Sequence, residues 1–355
     1  MPGQAASTRD HHVPQMYLRR FARRTGAGWQ IAAASVKDLG ARFQSEVKNV
    51  AVERGFYWGT DRDGVPHHAM EKFLTQIERL GASAFRQILD TGKLPSDNAM
   101  PSLPLRRDTR LAVSWWMAAQ ILRTTRQRAR LDLLSTDAND YSVDVPSVFR
   151  SRNRHIAYIL EMVRPLAAVI FHRPWGVGFS DYCLLTGDVP VLVLNGQDAR
   201  DQMLAAAYWD IYLPLDPHRC LFMPGLHTRR RNSHWFDRSL KFHPGIAMAF
   251  NNAVSDVAVK HVFFHPDHDP TANIRMRDRV ELEDDLSADT LPRHVVTYGF
   301  LHPDFGVQRR WLDEHPSASG NNAIPLSESE LLHIVGTMAG ELEEAETLFR
   351  GLTAE

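Results

Sequence analysis

The stretch His11-His-Val-Pro-Gln-Met-Tyr-Leu-Arg-Arg-Phe21 constrains the fold more than any other part of the chain. Pro14 suits the first turn of a helix, where its missing N–H would have no partner in any case, and Gly26 marks a stop. At helical spacing Tyr17, Leu18 and Phe21 share one face, while Gln15, Arg19 and Arg23 share another. A helix of about twelve residues is marginal in isolation, so its aromatic face must be buried against something else in the chain. His11 and His12 sit just before it.

Partners for this face follow in order. Met70 to Asp90 predicts a helix, with Met70, Leu74, Ile77, Gly81, Ala84 and Ile88 on one stripe and Gly92 as its stop. Glu71 and Glu78, seven apart, stack at the edge of that stripe. Lys93 to Leu105 holds three prolines and separates this helix from the next, expected as one element over Leu105 to Leu134. There Gln120, Arg123, Gln127 and Arg130 fall at spacings of three and four. A third long helix is expected over Val148 to Phe171.

Strand signals occur early at Trp29 to Val36 and then from Asp181 onward. Cys183-Leu-Leu and Val191-Leu-Val-Leu flank Thr186-Gly-Asp-Val-Pro190, which predicts strand, bend, strand. Tyr208 to Leu215 and Cys220 to Met223, joined by Asp-Pro-His-Arg, predict a hairpin. Val257 to Phe264 is a further strand, preceded by a short helix near Phe250-Asn-Asn. After loop-rich residues 266–325, Ser327 and Glu330 form a capping box for a helix with Leu331, Val335, Met338 and Leu342 on one side. The expected class is α+β, with a helical first half, an antiparallel hairpin sheet in the second half and a C-terminal amphipathic helix. Residues 1–100 and 101–265 are expected to form one domain, with 266–355 as an acidic loop region and the last helix, which could also join copies as a homo-oligomer.

At 355 residues and 44% apolar composition the chain can bury a sizeable core. No apolar run has the length of a membrane span and the first ten residues are polar, so the expectation is a soluble, cytoplasmic protein without a membrane partner. Cys183 and Cys220 form no Cys-x-x-Cys pair, which excludes a disulfide framework or a cysteine-rich zinc site. Lysine supplies only 6 of the 41 basic residues. Codon usage in a GC-rich genome accounts for much of that bias, so placement carries more meaning. Residues 101–180 hold 12 arginines against 6 acids, and residues 281–355 hold 4 against 15. A basic middle and an acidic end attract one another, or leave the middle to face phosphate.

The opening motif is followed by Glu46-Val-Lys-Asn-Val, Gly55-Phe-Tyr-Trp, Met70-Glu71 to Ile77-Glu78, Gln120-Ile-Leu-Arg123-Thr-Thr-Arg126 and Thr186-Gly-Asp-Val-Pro190. In that order, from about His11 to about Asn252, the chain resembles the bacterial domain-of-unknown-function family 4238. The family's pattern has a serine and an asparagine around the aspartate, where this chain has Gly187 and Val189. The resemblance implies no activity.

Neither a phosphate-binding glycine loop, nor a nucleophile elbow, nor a His-Glu-x-x-His helix is present. The candidate constellation is His11, Glu71, Glu78 and Asp188 as catalytic groups, with Gln15, Arg19, Gln120, Arg123 and Arg126 as substrate-binding groups. Histidine and carboxylates supply general acids and bases, and paired arginines hold an anionic transition state. This set suits a nuclease-like hydrolase of phosphodiesters or nucleotides. The same arginines suit a noncatalytic module that senses an anionic small molecule or nucleic acid, and salt bridges between Glu71, Glu78, Arg123 and Arg126 give a purely structural reading. His265-Pro-Asp-His268-Asp269 alternates ligand-type residues without the spacing of a known site, and Cys220 near His218 reads as a bystander. No metal and no cofactor is assigned.

Overall fold

A computed structural model describes residues 9–90, 105–134, 146–171, 175–194, 210–224 and 238–274. The chain is α+β. Strand β1 (Arg9–His11) leads into helix α1 (Gln15–Leu18), which tightens into a 3₁₀ turn at Arg19–Phe21. Strands β2 (Arg23–Thr25), β3 (Gly28–Ser35), β4 (Asp38–Glu46) and β5 (Val52–Arg54) follow, then the short pair β6 (Gly59–Thr60) and β7 (Pro66–His67). Helices α2 (Ala69–Leu89), α3 (Arg107–Leu122), α4 (Thr125–Leu134) and α5 (Ser147–Phe171) make a layer. The remainder comprises β8 (Gly176–Phe179), β9 (Thr186–Gly187), β10 (Leu192–Leu194), β11 (Asp210–Asp216), β12 (Arg219–Met223), β13 (Arg238–Lys241), α6 (Pro244–Val257) and β14 (His261–Phe264).

Two five-stranded sheets result. One has the order β10-β11-β12-β8-β13, antiparallel except for the parallel pair β8–β13. The other joins the two ends of the described chain. Strand β4 pairs along β3, β2 pairs with Gly28–Gln30, and β14 pairs with Ala32–Ser35 before passing on to β9. Alternation along β3 assigns its faces: Ile31 and Ala33 enter the core beneath the helix layer, and Ala32 and Ala34 enter a second core with Val254, Val257 and Ala258. A strand covered on both faces has no polar alternation to display.

Several expectations change. The opening helix is shorter than its spacing predicts, because Arg23–Thr25 are claimed by the hairpin with β3, and Ala22 is already extended. The element expected over Leu105 to Leu134 is two helices. Thr124 breaks it by accepting from the Gln127 N–H at 3.2 Å, the bond of an N-cap, and Arg123 takes up non-helical angles before it. The antiparallel hairpin sheet expected in the second half is the one that holds β11 and β12, and a separate sheet adds β2, β3 and β4 from the first half. The C-terminal helix lies outside the described residues, as does any oligomer contact through it.

Close packing leaves a testable position on β8, in the β10-β11-β12-β8-β13 sheet. A Cβ on Gly178 would lie 2.3 Å from the Phe242 ring and 3.0 Å from the Cys220 sulfur. Gly178→Ala is expected to destabilise by about 1–3 kcal/mol, as overpacking does, and a urea midpoint equal to wild type would refute this packing.

Candidate functional site

The sequence motifs converge where α1, α2 and the end of α3 meet. Strand β1 pairs with β5 in the register His11↔Val52, and the His12 N–H donates to the Ala51 carbonyl at 3.1 Å. Asp10, buried on the other face of β1, accepts from the Tyr57 N–H at 3.1 Å. These bonds bring the two histidines and Tyr57 together above α2. That helix presents Glu71 and Glu78 from its border because its apolar stripe, Met70 to Ile88, is in the core.

Arg123 is the centre of charge. Its side chain is 1% exposed, and Nη1 donates to Glu78 Oε1 at 2.7 Å. One end of the Gln120 amide faces Nε and Nη2 of Arg123, both donors, which assigns that end as the oxygen; it accepts at 2.8 Å and 2.5 Å. Each terminal nitrogen thus keeps one N–H with no acceptor among the described residues.

Burial sets the protonation states. It pushes the Glu71 carboxyl up to about 7, helped by the negative charges of Asp10 and Glu78 and opposed by Arg123. His11 is lowered mainly by burial, against a hydrogen bond with the Lys48 backbone, and Arg9, Arg123 and Arg19 lower it further. His12 falls to about 3 through burial and then the charge of Arg123. Both imidazoles are therefore neutral at pH 7. Burial also raises the Tyr57 hydroxyl, which stays protonated. Among the described residues His11 Nε2, His12 Nδ1 and the Tyr57 hydroxyl find no hydrogen-bond partner, although each atom is buried. Leaving such atoms unpaired costs about 1–3 kcal/mol each, so three in one cluster call for a ligand or water.

Other residues named from the sequence are placed as follows. Gln15 accepts from Arg19 Nη2 at 3.2 Å, and Arg19 lies close enough to His11 to lower its pKa. Arg126 is buried on α4, one residue before Gln127, whose side-chain atoms have no partner among the described residues. Asp188 stands apart. Its carboxylate accepts from the N–H groups of Val259 (2.7 Å), Lys260 (2.6 Å) and His261 (3.1 Å), and holds the connection from α6 to β14 beside β9. Burial raises its pKa, and the three N–H bonds oppose that rise. His12 and Tyr57 escaped the sequence reading, though signals existed: one is the second half of the His-His pair, the other the centre of Gly55-Phe-Tyr-Trp.

A cavity of about 650 Å³ opens on the far side of α1, lined by Met16, Arg19, Arg86, His218, His265 and His268 among others. It is separate from the Glu71–Arg123 cluster and shares only Arg19 with the groups acting on it.

No helix among the described residues is long and apolar enough to cross a membrane. A family model described as "Protein of unknown function (DUF4238)" matches residues 9–268, which hold both the cluster and the cavity. No curated protein and no solved structure matches the chain.

Proposed function

Because the chain belongs to the DUF4238 family, whose description carries no activity, we propose from the cluster itself that the protein is a hydrolase of a phosphodiester or nucleotide-type anionic substrate. The reading is supported by a carboxyl that burial pushes up to about 7, beside a buried guanidinium with unused N–H groups. A general acid or base works best when its pKa is near the working pH. In this reading a phosphoryl oxygen takes the two free N–H groups of Arg123, which are held in place by Glu78 and Gln120. Glu71 as carboxylate removes a proton from the attacking water, the P–O bond to the leaving oxygen breaks, and that oxygen receives the proton. Tyr57 and the neutral His11 and His12 orient substrate by hydrogen bonds, and Arg19 meets charge on the solvent side. Asp188 acts by positioning the β9–β14 edge.

The test follows hydrolysis of bis(p-nitrophenyl) phosphate and a panel of nucleotides, DNA and RNA. Glu71→Gln and Arg123→Lys are each expected to lower kcat/KM by about 100-fold or more while the melting transition stays cooperative. A second reading, the noncatalytic sensor, is favoured by the ties of Arg123 to Glu78 and Gln120, which fix it as a binding post equally well. Nucleotide binding that Arg123→Lys abolishes, in a wild-type protein that never turns substrate over, would select the sensor. A protein that neither binds nor cleaves any member of the panel would leave only the salt-bridged helix pair.

A further inference from the structure

The cavity on the far side of α1 carries a group of side chains that the hydrolase reading does not use. Cys183 Sγ and the ligand nitrogens of His218 and His268 lie within 4.8 Å of one another, brought from three separate segments. Each segment is pinned by its backbone. The turn bearing His218 is fixed by Asp216, whose Oδ1 accepts from the N–H groups of His218 (2.9 Å) and Arg219 (2.8 Å). Cys183 is set beside that turn, because Leu184 N–H donates to the Pro217 carbonyl at 2.7 Å and Asn251 Nδ2 donates to the Cys183 carbonyl at 2.9 Å. His268 lies in the turn after β14, closed by its own N–H to the His265 carbonyl at 3.0 Å.

The orientation of His218 is the second, independent observation. Its Nδ1 lies 3.1 Å from the Ser180 carbonyl, which can only accept, so the proton sits on Nδ1 and the lone pair on Nε2. Ligating histidines are commonly held by this kind of bond, in which the far nitrogen donates to a carbonyl and fixes the tautomer. We propose that Cys183, His218 and His268 form a binding site for one zinc-class divalent ion. One thiolate and two imidazoles are a ligand set that zinc accepts, with bonds of about 2.3 Å to sulfur and about 2.0–2.1 Å to nitrogen. A tetrahedral ion would place these donors roughly 3.3–3.7 Å apart, so the group has to close by about 1 Å. His268 is exposed and on a turn, and supplies that adjustment. Binding removes the Cys183 proton, which passes to solvent, and forms the metal–sulfur bond. Both imidazoles line the cavity, so the fourth position is reached from it. The cavity wall is suited to an anion at that position: Arg20 is paired with Asp90 and Arg219 with Asp216, but among the described residues Arg19 bonds only neutral Gln15 and Arg86 has no acidic partner.

The experiment uses the full chain, stripped with a chelator, reloaded with zinc or cobalt(II) and freed of excess metal. Elemental analysis is expected to return about one zinc per chain, and the cobalt form to show thiolate charge-transfer absorption together with intense tetrahedral d–d bands. Cys183→Ala should remove the charge-transfer band, and His218→Ala and His268→Ala should each weaken zinc binding by at least about 100-fold. Thermal melts of the metal-free variants show whether they are folded, and the exposed His268 variant keeps the test valid if Cys183→Ala fails to fold. A wild-type protein that retains no zinc, or a folded His268 variant that holds zinc as tightly as wild type, would overturn the proposal. None of these readouts uses hydrolysis, so the Glu71–Arg123 reading stands or falls separately.

Discussion

Phe21→Ala is expected to destabilise the protein by about 3–5 kcal/mol, the range for removing a buried aromatic from a core that cannot collapse around the gap. Phe21 is fully buried and its ring centroid lies 5.5 Å from that of Tyr17. Tyr17 in turn meets Trp116 at 5.2 Å, and its hydroxyl donates to the Pro214 carbonyl at 2.7 Å and lies 2.8 Å from Thr186 Oγ1. One short helix therefore touches the helix layer, β9 and β11 at once. The loss should appear as a lower urea midpoint with an unchanged slope. A midpoint equal to wild type would mean that the opening motif decorates a fold that stands without it.

Glu71→Gln is expected to change stability in a pH-dependent way. The ordinary pKa of this carboxyl is 4.5 and the fold raises it to about 7. A raised carboxyl favours the protonated form, so its favourable contribution is complete below pH 4.5 and is lost as pH rises through 7. The shift corresponds to roughly 3 kcal/mol between those limits. Relative to wild type, the glutamine variant should therefore gain about that much between pH 4.5 and pH 8.5. His12 works in the opposite sense, since its pKa is depressed to about 3 and its contribution is lost as pH falls below 6.5. Comparing variant with wild type at each pH cancels that effect. A constant difference across the range would show that Glu71 titrates as an ordinary surface carboxylate.

How much of this was written in the sequence differs from element to element. Helix α2 was clear because its stripe repeats for five turns, and the hairpin β11–β12 because two apolar runs flank a turn. Strand β4 was not, since most of its side chains, Phe43 included, point to solvent and leave no alternation to detect. The α3–α4 break turns on one threonine hydroxyl, which local propensity does not weigh. Half of the cluster was visible as ordered polar residues on amphipathic helices. Asp188 looked equally suitable, because sequence cannot show that backbone N–H groups seventy residues later occupy its carboxylate. Cys220, a bystander to His218 by local spacing, is buried in the sheet, and the cysteine within 4.8 Å of His218 and His268 is Cys183, which comes from a separate segment that spacing does not connect to either histidine.

The pairing of β3 with β14 has a consequence for how the molecule is made. Ala32 and Phe264 are partners in one ladder, yet they leave the ribosome more than two hundred residues apart. At about 5–20 residues per second, β3 waits on the order of ten seconds or more for the strand that will protect it. Throughout that interval the half-synthesised chain carries a hydrophobic strand with an unprotected edge, the feature most prone to pairing with a neighbouring nascent chain. Folding is therefore expected to be largely post-translational. Chains truncated before His261 should be held by chaperones or aggregate, even though every helix of the upper layer is already present in them.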